Sequence, residues 1–304
     1  MTDDPKTFSQ VTGHPNMEIG SSITFSVAAS KFNKNAGPSA IHIENKTWSG
    51  GAMLGVIVKN ANGSMEMIGS AFMVAPGIGI TAKHVFEDNS QSMNHVGGVL
   101  LFGITPNGMQ LWQCKKINPG KIDDVAIILF SPFYQIPYRE NVSRFALTAR
   151  HPKVGNRVSI VGYKAKQFKQ GLKNHEVECD IYISSGTVRA VHLHGRDKGL
   201  MPYASFQIDC ESLNGMSGGP VIAEDGRVIG VISTGFVDEK EGFVTYGACI
   251  FSCLTWKISP VWPKGAYKDE IRLCNIGDTL INIDNKERIV EIEPDRFIYG
   301  YDLD

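Results

Sequence analysis

The sequence predicts an all-β chain built in two halves, and three observations point that way. From about residue 50 the chain runs in short, closely spaced β-rich segments bounded by Gly, Asn, Asp and Pro. A stretch with three prolines and weak periodicity, 131–155, separates these segments into two series. A glycine-flanked stretch, Asn214-Gly215-Met216-Ser217-Gly218-Gly219-Pro220-Val221-Ile222, then leads into an apolar strand of the second series. The first series is Met53–Val58, Met67–Val74, Ile78–Thr81, Val99–Phe102 and Val125–Phe130. The second is Arg157–Val161, Glu176–Ile183, Gly186–Val191, Ser205–Asp209, Pro220–Ala223, Arg227–Ser233 and Phe243–Ile250. Such spacing suits antiparallel barrels or sandwiches rather than βαβ units, and the cleft between two halves is a common place for a site.

Around this core the sequence predicts an N-terminal arm over 1–45, mobile apart from one strand near Ile23–Ala29, and a C-terminal extension over 259–304. The halves themselves span 46–140 and 141–258. The extension alternates well enough for two or three strands around a turn at Asp284-Asn285, and it is too short to form a domain of its own. It is expected to pack on the second half or to meet a regulator.

Composition narrows the function classes. Of 304 residues, 42% are hydrophobic and 20% charged, as in ordinary globular proteins. Thirty Lys+Arg against thirty-one Asp+Glu leave a formal charge of −1, which gives no electrostatic case for nucleic acid as a partner. The four lysines of Lys164–Lys173 read as a solvated loop. The polar, acidic start MTDDPKTFSQ lacks the pattern of a secretory signal, and no apolar run is long enough to span a membrane. A cytoplasmic protein with no membrane partner is expected. The six cysteines, at 114, 179, 210, 249, 253 and 274, have no zinc-site spacing and read as free, mostly buried thiols. His192 and His194 alternate on an expected strand, and no metal or cofactor is expected there or elsewhere.

Two glycines in succession are accepted where the backbone must take positive φ or come very close to something else. Between glycines, Ser217 reads either as the tip of a tight turn or as a nucleophile on a rigid one. The second reading needs a base and a group to orient that base. His84 follows the apolar Ser70–Val74 run in the context Gly79-Ile80-Thr81-Ala82-Lys83-His84-Val85. Asp123-Asp124 opens the apolar run 125–129, and Asp124 adjoins it directly.

These three blocks, GSAFMV…GITAKHV, DDVAIILF and NGMSGGPVI, in the order His, Asp, Ser and at intervals of 40 and 93 residues, resemble the trypsin-like serine proteases of the chymotrypsin fold. The resemblance covers about residues 50–255, and it is closer to the high-temperature-requirement (HtrA) style because Gly-Val-Ile-Ser-Thr-Gly follows at 230–235 and no cysteines flank His84. It implies two six-stranded antiparallel β-barrels with the active site between them. It also implies a serine endopeptidase acting on protein or peptide substrates through Ser217, His84 and Asp124, without a cofactor. The amides of Gly215 and Ser217 would form an oxyanion hole, and Gly218 and Gly219 would let the backbone pack behind the serine. Ser233 would hydrogen-bond the aspartate, while the segment Ser233, Thr234, Gly235 would pair with substrate backbone. Two other readings stay open: a trypsin-like scaffold that binds protein without cutting it, and an esterase or acyl transferase using the same triad.

The pattern departs from the family at several points. Glu211, six residues before Ser217, falls where the family places the floor of the primary pocket, with Gly235 and Gly242 leaving it open. It reads either as that floor, favouring Lys or Arg substrates, or as a solvent-facing loop residue. HtrA proteins carry a peptide-binding PDZ domain after the protease, for which 259–304 has no room, so a regulatory protein partner is expected instead. Secreted digestive members carry Asp at the place of Met216, where it pairs with a new N-terminus. Met216 cannot form that ion pair, so activity is expected without N-terminal cleavage, any switch acting through loop ordering. Peptide hydrolysis measured before and after limited trypsin treatment should show no gain on cutting near residue 45; activity seen only after that cut would contradict the reading.

Overall fold

In a computed structural model the described residues are 24–27, 36–59, 65–88, 98–133, 141–170 and 175–300. Two short strands, Thr24–Val27 (β1) and Ile41–His42 (β2), precede the first barrel. That barrel is built from Met53–Lys59 (β3), Met65–Ala75 (β4), Ile78–Thr81 (β5), Val99–Thr105 (β6), Gly108–Pro119 (β7) and Ala126–Pro132 (β8), closed in the order β3-β4-β5-β8-β7-β6. Its strands are long apolar runs because both faces are covered. Every residue of β8 is buried, one face inside the barrel and the other under neighbouring segments.

The crossing segment holds Asn141–Arg144 (β9), which pairs with β1 in parallel, and Leu147–Thr148 (β10). Six further strands follow: Arg157–Gln170 (β11), His175–His192 (β12), Ser205–Ile208 (β13), Pro220–Ala223 (β14), Val228–Asp238 (β15) and Gly242–Cys249 (β16). They pair antiparallel in the order β14-β11-β12-β13-β16-β15, and an added β14–β15 pairing closes the ring. The architecture is therefore the all-β, chymotrypsin-like pair of six-stranded barrels with flanking strands.

Several elements differ from the sequence expectations. β7 was not expected as a strand, yet buried Gln110, Trp112 and Cys114 alternate along it with more exposed neighbours. β12 runs unbroken where two strands were expected across Ser184-Ser185-Gly186. Its buried hydroxyls are satisfied: Ser185 Oγ lies 2.6 Å from Ser159 Oγ, and Ser184 Oγ donates to the Glu211 carbonyl at 2.5 Å. The lysine-rich stretch expected as a loop is strand as far as Gln170, paired with β12, and its remaining residues 171–173 lie outside the described residues. The arm expected over 1–45 is docked over 36–45. β2 adds to β12 opposite Tyr182 and Ile183, and Lys46 beside it reaches the buried Asp180 at 3.1 Å. Residues 1–23 and 28–35 lie outside the described residues.

From Lys257 onward the described residues form five short strands: Lys257–Ile258 (β17), just before the expected extension, then Ile271–Arg272 (β18), Ile283–Asp284 (β19), Ile289–Glu293 (β20) and Arg296–Tyr299 (β21). Asn285 is left-handed, at φ 54°, but it leads into a 3-10 turn; the hairpin turn falls at Pro294-Asp295 between β20 and β21. The segment contacts both barrels rather than the second alone. β19 pairs with β10, which in turn pairs with β15 of the second barrel. Trp262 packs edge-on against Trp112 of the first barrel, with ring centroids 5.6 Å apart, and the Tyr267 hydroxyl donates to the Pro76 carbonyl at 2.7 Å. Trp262 is fully buried, so Trp262→Ala should cost about 3–5 kcal/mol of stability in urea unfolding through cavity formation. A shift in midpoint too small to resolve would mean that this segment is not part of the cooperative core.

Candidate active site

At the seam of the two barrels a single carboxylate gathers three donor groups from two parts of the chain. Asp124 stands two residues before β8, almost wholly buried. A buried carboxylate is costly unless its oxygens are hydrogen-bonded, and Asp124 has several partners. The backbone N–H of His84 donates to Oδ1 at 3.0 Å, and the His84 ring Nδ1 lies 3.1 Å from Oδ1 and 2.9 Å from Oδ2. The Ser233 hydroxyl, in β15, donates to Oδ2 at 2.5 Å. An ionised carboxylate only accepts, so Nδ1 carries a proton in this arrangement, which leaves Nε2 of the neutral ring as the basic nitrogen.

His84 opens a one-turn helix, His84–Glu87 (α1), directly after β5. Its ring, Asp124 and Ser217 line one cavity of about 730 Å³, together with Tyr203, Thr234 and Gly235. Among the described residues no hydrogen bond joins the Ser217 hydroxyl to the His84 ring. In unliganded sites such bonds are often long and tighten when substrate is bound.

The turn that presents Ser217 is gripped from both barrels. The Ser217 carbonyl accepts the Ser70 N–H of β4 at 2.8 Å, and the Gly218 N–H donates to the Ile232 carbonyl of β15 at 2.8 Å. The Ser70 hydroxyl donates to the Gly215 carbonyl at 2.7 Å and accepts the Tyr163 N–H at 2.8 Å, while Thr81 Oγ1 donates to the Ser70 carbonyl at 2.6 Å. This approach is why the turn needs glycines. Gly218 has φ +85°, and a Cβ there would collide with the Ser70 carbonyl and Thr81 Oγ1; one on Gly219 would strike the Val161 carbonyl. Gly215, at φ +94°, turns the chain so that its own N–H and that of Ser217 have no acceptor among the described residues. Met216 between them is fully buried in the second barrel, where an ion-pairing residue would be out of place.

The other expected residues divide. Ser233, Thr234 and Gly235 line the cavity on β15. β14 stops at Pro220, opposite Val231, so the edge beyond that point has no strand partner among the described residues. Of the two readings of Glu211, as an acidic pocket floor or as a loop residue, its observed side-chain contact is with the N-terminal segment, and it is not among the residues that line this cavity. Its carboxylate accepts the Ala40 N–H at 2.8 Å and its own N–H donates to the Pro38 carbonyl at 2.7 Å, because the docked N-terminal segment offers it backbone partners. Ser212 lines the cavity instead, with its hydroxyl against Gly235. Sequence reasoning missed the anchoring role of Ser70, though it lies in the quoted GSAFMV block. It also missed Tyr203, whose hydroxyl lies 2.9 Å from Ser233 Oγ and which no local pattern marks. Among the described residues no three His, Cys, Asp or Glu side chains gather as a metal site requires, and no helix is long and apolar enough to cross a membrane.

The profile of the family described as trypsin-like peptidase domain matches residues 69–231, just over half of the chain, and the chain belongs to that family. The His84–Asp124 and Ser233–Asp124 arrangement in this fold is consistent with a catalytic triad. No curated protein matches the chain. Among solved structures, the inactive form of a serine-to-alanine mutant of Rv3671c from M. tuberculosis H37Rv is similar, with TM-score 0.41 and 18% identity over 65% of this chain and 80% of that one.

The electrostatics of the pair follow from its burial and contacts. Burial alone depresses the His84 pKa, but the hydrogen bond and charge of Asp124, with smaller contributions from Asp88 and Glu87, raise it above 6.5. Burial alone raises the Asp124 pKa, but the His84 hydrogen bond and charge, then the Ser233 hydroxyl, hold it below 3.8. The His84 contribution to stability is therefore complete below pH 6.5 and is lost as pH rises through its folded value. That of Asp124 is complete above pH 3.8 and is lost as pH falls through its own. An NMR titration should place His84 above 6.5 and Asp124→Asn should bring it below that value; an unchanged titration in the variant would refute the pairing.

Proposed function

We propose that the chain is a serine endopeptidase that cuts protein substrates through an acyl-enzyme, with Ser217 as nucleophile, His84 as base and then acid, and Asp124 orienting the imidazole. One observation carries the reading. The Asp124-bound His84 ring and Ser217 line one cavity, and among the described residues the N–H groups of Gly215 and Ser217 have no acceptor. Ser217 Oγ attacks the scissile carbonyl as its proton passes to His84 Nε2. The developing oxyanion is bound by the Gly215 and Ser217 N–H groups, a contribution of about 3 kcal/mol per donor in enzymes of this chemistry. Collapse of the tetrahedral intermediate returns the proton to the leaving amine, and water repeats the sequence on the ester.

An extended substrate adds to the edge of β15 at Ser233, Thr234 and Gly235, which has no strand partner among the described residues, and this gives sequence-tolerant backbone binding. The side chain before the cut enters between 212–215 and 233–235, and with Glu211 turned to Ala40 the reading assigns no preference for Lys or Arg. The division into arm 1–45, barrels 46–140 and 141–258, and extension 259–304 belongs to the same reading. So does an HtrA-like subtype, supported by the Gly230–Gly235 motif, acting in the cytoplasm with a regulatory protein partner. The six free thiols are compatible with that compartment.

A fluorophosphonate probe should label the purified protein at Ser217, and labelling should disappear in Ser217→Ala and fall sharply in His84→Ala. Casein hydrolysis should drop by roughly 10⁶-fold in Ser217→Ala, to the limit of detection. No labelling of the wild type in any state, with the fold intact, would favour the binding scaffold, and hydrolysis of short esters without casein cleavage would favour the esterase.

A further inference from the structure

The hydrogen-bonded chain at the seam does not end at Ser233. Tyr203 OH lies 2.9 Å from Ser233 Oγ, which in turn donates to Asp124 Oδ2 at 2.5 Å. A serine hydroxyl has one proton, and the carboxylate, held ionised, has none to give. The Ser233 proton therefore goes to Asp124, and Tyr203 must be the donor to Ser233. The phenol is able to keep that role, since burial, with the nearby Asp124 charge, pushes its pKa up to about 12.

Tyr203 also belongs to the cleft wall. It closes a looped segment in which the Asp197 carboxylate accepts the N–H groups of Gly199 at 2.9 Å, Leu200 at 2.6 Å and Met201 at 3.3 Å. The Arg196 N–H donates to the Met201 carbonyl at 2.9 Å, and the Arg196 guanidinium lies 4.9 Å from the centre of the Tyr246 ring. The loop is thus held as a unit, with Met201 and Tyr203 packed against Val244 and Tyr246 of β16. Leu200 at its tip is 79% exposed and lines the same cavity as His84 and Ser217.

We infer that Tyr203 is a positioning residue for the His84–Asp124 pair, acting through the Ser233 hydroxyl, and that it links the loop 196–203, on which an apolar substrate side chain bears at Leu200, to the orientation of the imidazole. The kinetic part rests on the peptidase reading; the hydrogen-bond chain does not. Removing the Tyr203 hydroxyl weakens the donation from Ser233, because donors in a chain polarise one another. Charge on Asp124 is then less dispersed. The His84 Nδ1 proton is drawn more strongly to the carboxylate, and the imidazolium is favoured. The other charges around the ring are Glu87 and Asp88, and those around the phenol are Arg196 and Asp197; none is altered by Tyr203→Phe.

The test compares wild type, Tyr203→Phe, Ser233→Ala and the double variant, each checked for an unchanged thermal midpoint. By proton NMR, Tyr203→Phe should move the His84 Nδ1–H resonance and raise the His84 pKa. In peptide hydrolysis it should lower kcat about three- to tenfold with KM within about twofold. In the Ser233→Ala background the same substitution should change neither. An unmoved resonance in Tyr203→Phe, or an equal effect of that substitution with and without Ser233, would overturn the inference. If the fluorophosphonate also fails to label the wild type, the peptidase reading falls by itself, while the NMR comparison still decides the coupling.

Discussion

A buried negative charge, the Asp124 carboxylate, sets the terms for the seam between the barrels. Removing such a group from water costs several kcal/mol unless donors replace its hydration, and the donors here come from α1 after the first barrel's β5 and from β15 in the second. The barrels are therefore committed to one relative placement where the carboxylate sits. A small slide would leave a charge unpaired. His84 inherits its tautomer from the same contact, so the basic nitrogen is assigned by packing before any substrate arrives.

Ser70 plays the neutral counterpart of that role. Its N–H, carbonyl and hydroxyl all bond, to the Ser217 carbonyl, Thr81 Oγ1, the Gly215 carbonyl and the Tyr163 N–H. One residue of β4 thereby fixes the turn that presents Ser217 and also touches β11 of the second barrel. Glycine at 218 and 219 follows from this, since the turn lies against carbonyls with no space for a side chain. The entropy cost of adjacent glycines is offset by a turn whose backbone is hydrogen-bonded to Ser70 and Ile232.

The strands were readable where a run was apolar and bounded, as in Ile78–Thr81 and Pro220–Ala223, both of which form as expected. They were misread where polar residues serve the core. Gln110 is buried in β7, and Ser184 and Ser185 are buried in β12, each inside a strand whose pattern looked interrupted. A hydroxyl or amide resembles a turn signal until its partner is known, and the partners of these serines, Ser159 and the Glu211 carbonyl, are 26 and 27 residues away. Lys164 misled in the other direction, since its ammonium lies 5.7 Å from the Tyr182 ring centre on a paired strand. Position within a motif says nothing of the partner of Glu211, whose carboxylate accepts the Ala40 N–H of the docked N-terminal segment.

By itself the sequence determined the all-β class, the order and spacing of His84, Asp124 and Ser217, and the close backbone approach that Gly218 and Gly219 require. These are local matters of periodicity and sterics, and they are written in neighbouring residues. Only the tertiary structure decided which groups the buried ones would meet: Tyr203 on Ser233, Ser70 on Gly215, Glu211 on Ala40, Trp262 on Trp112. A hydrogen bond or a packed ring acts over a few ångströms between residues remote in the chain, so its partner is chosen by the closing of the barrels and leaves no mark on the sequence around either one.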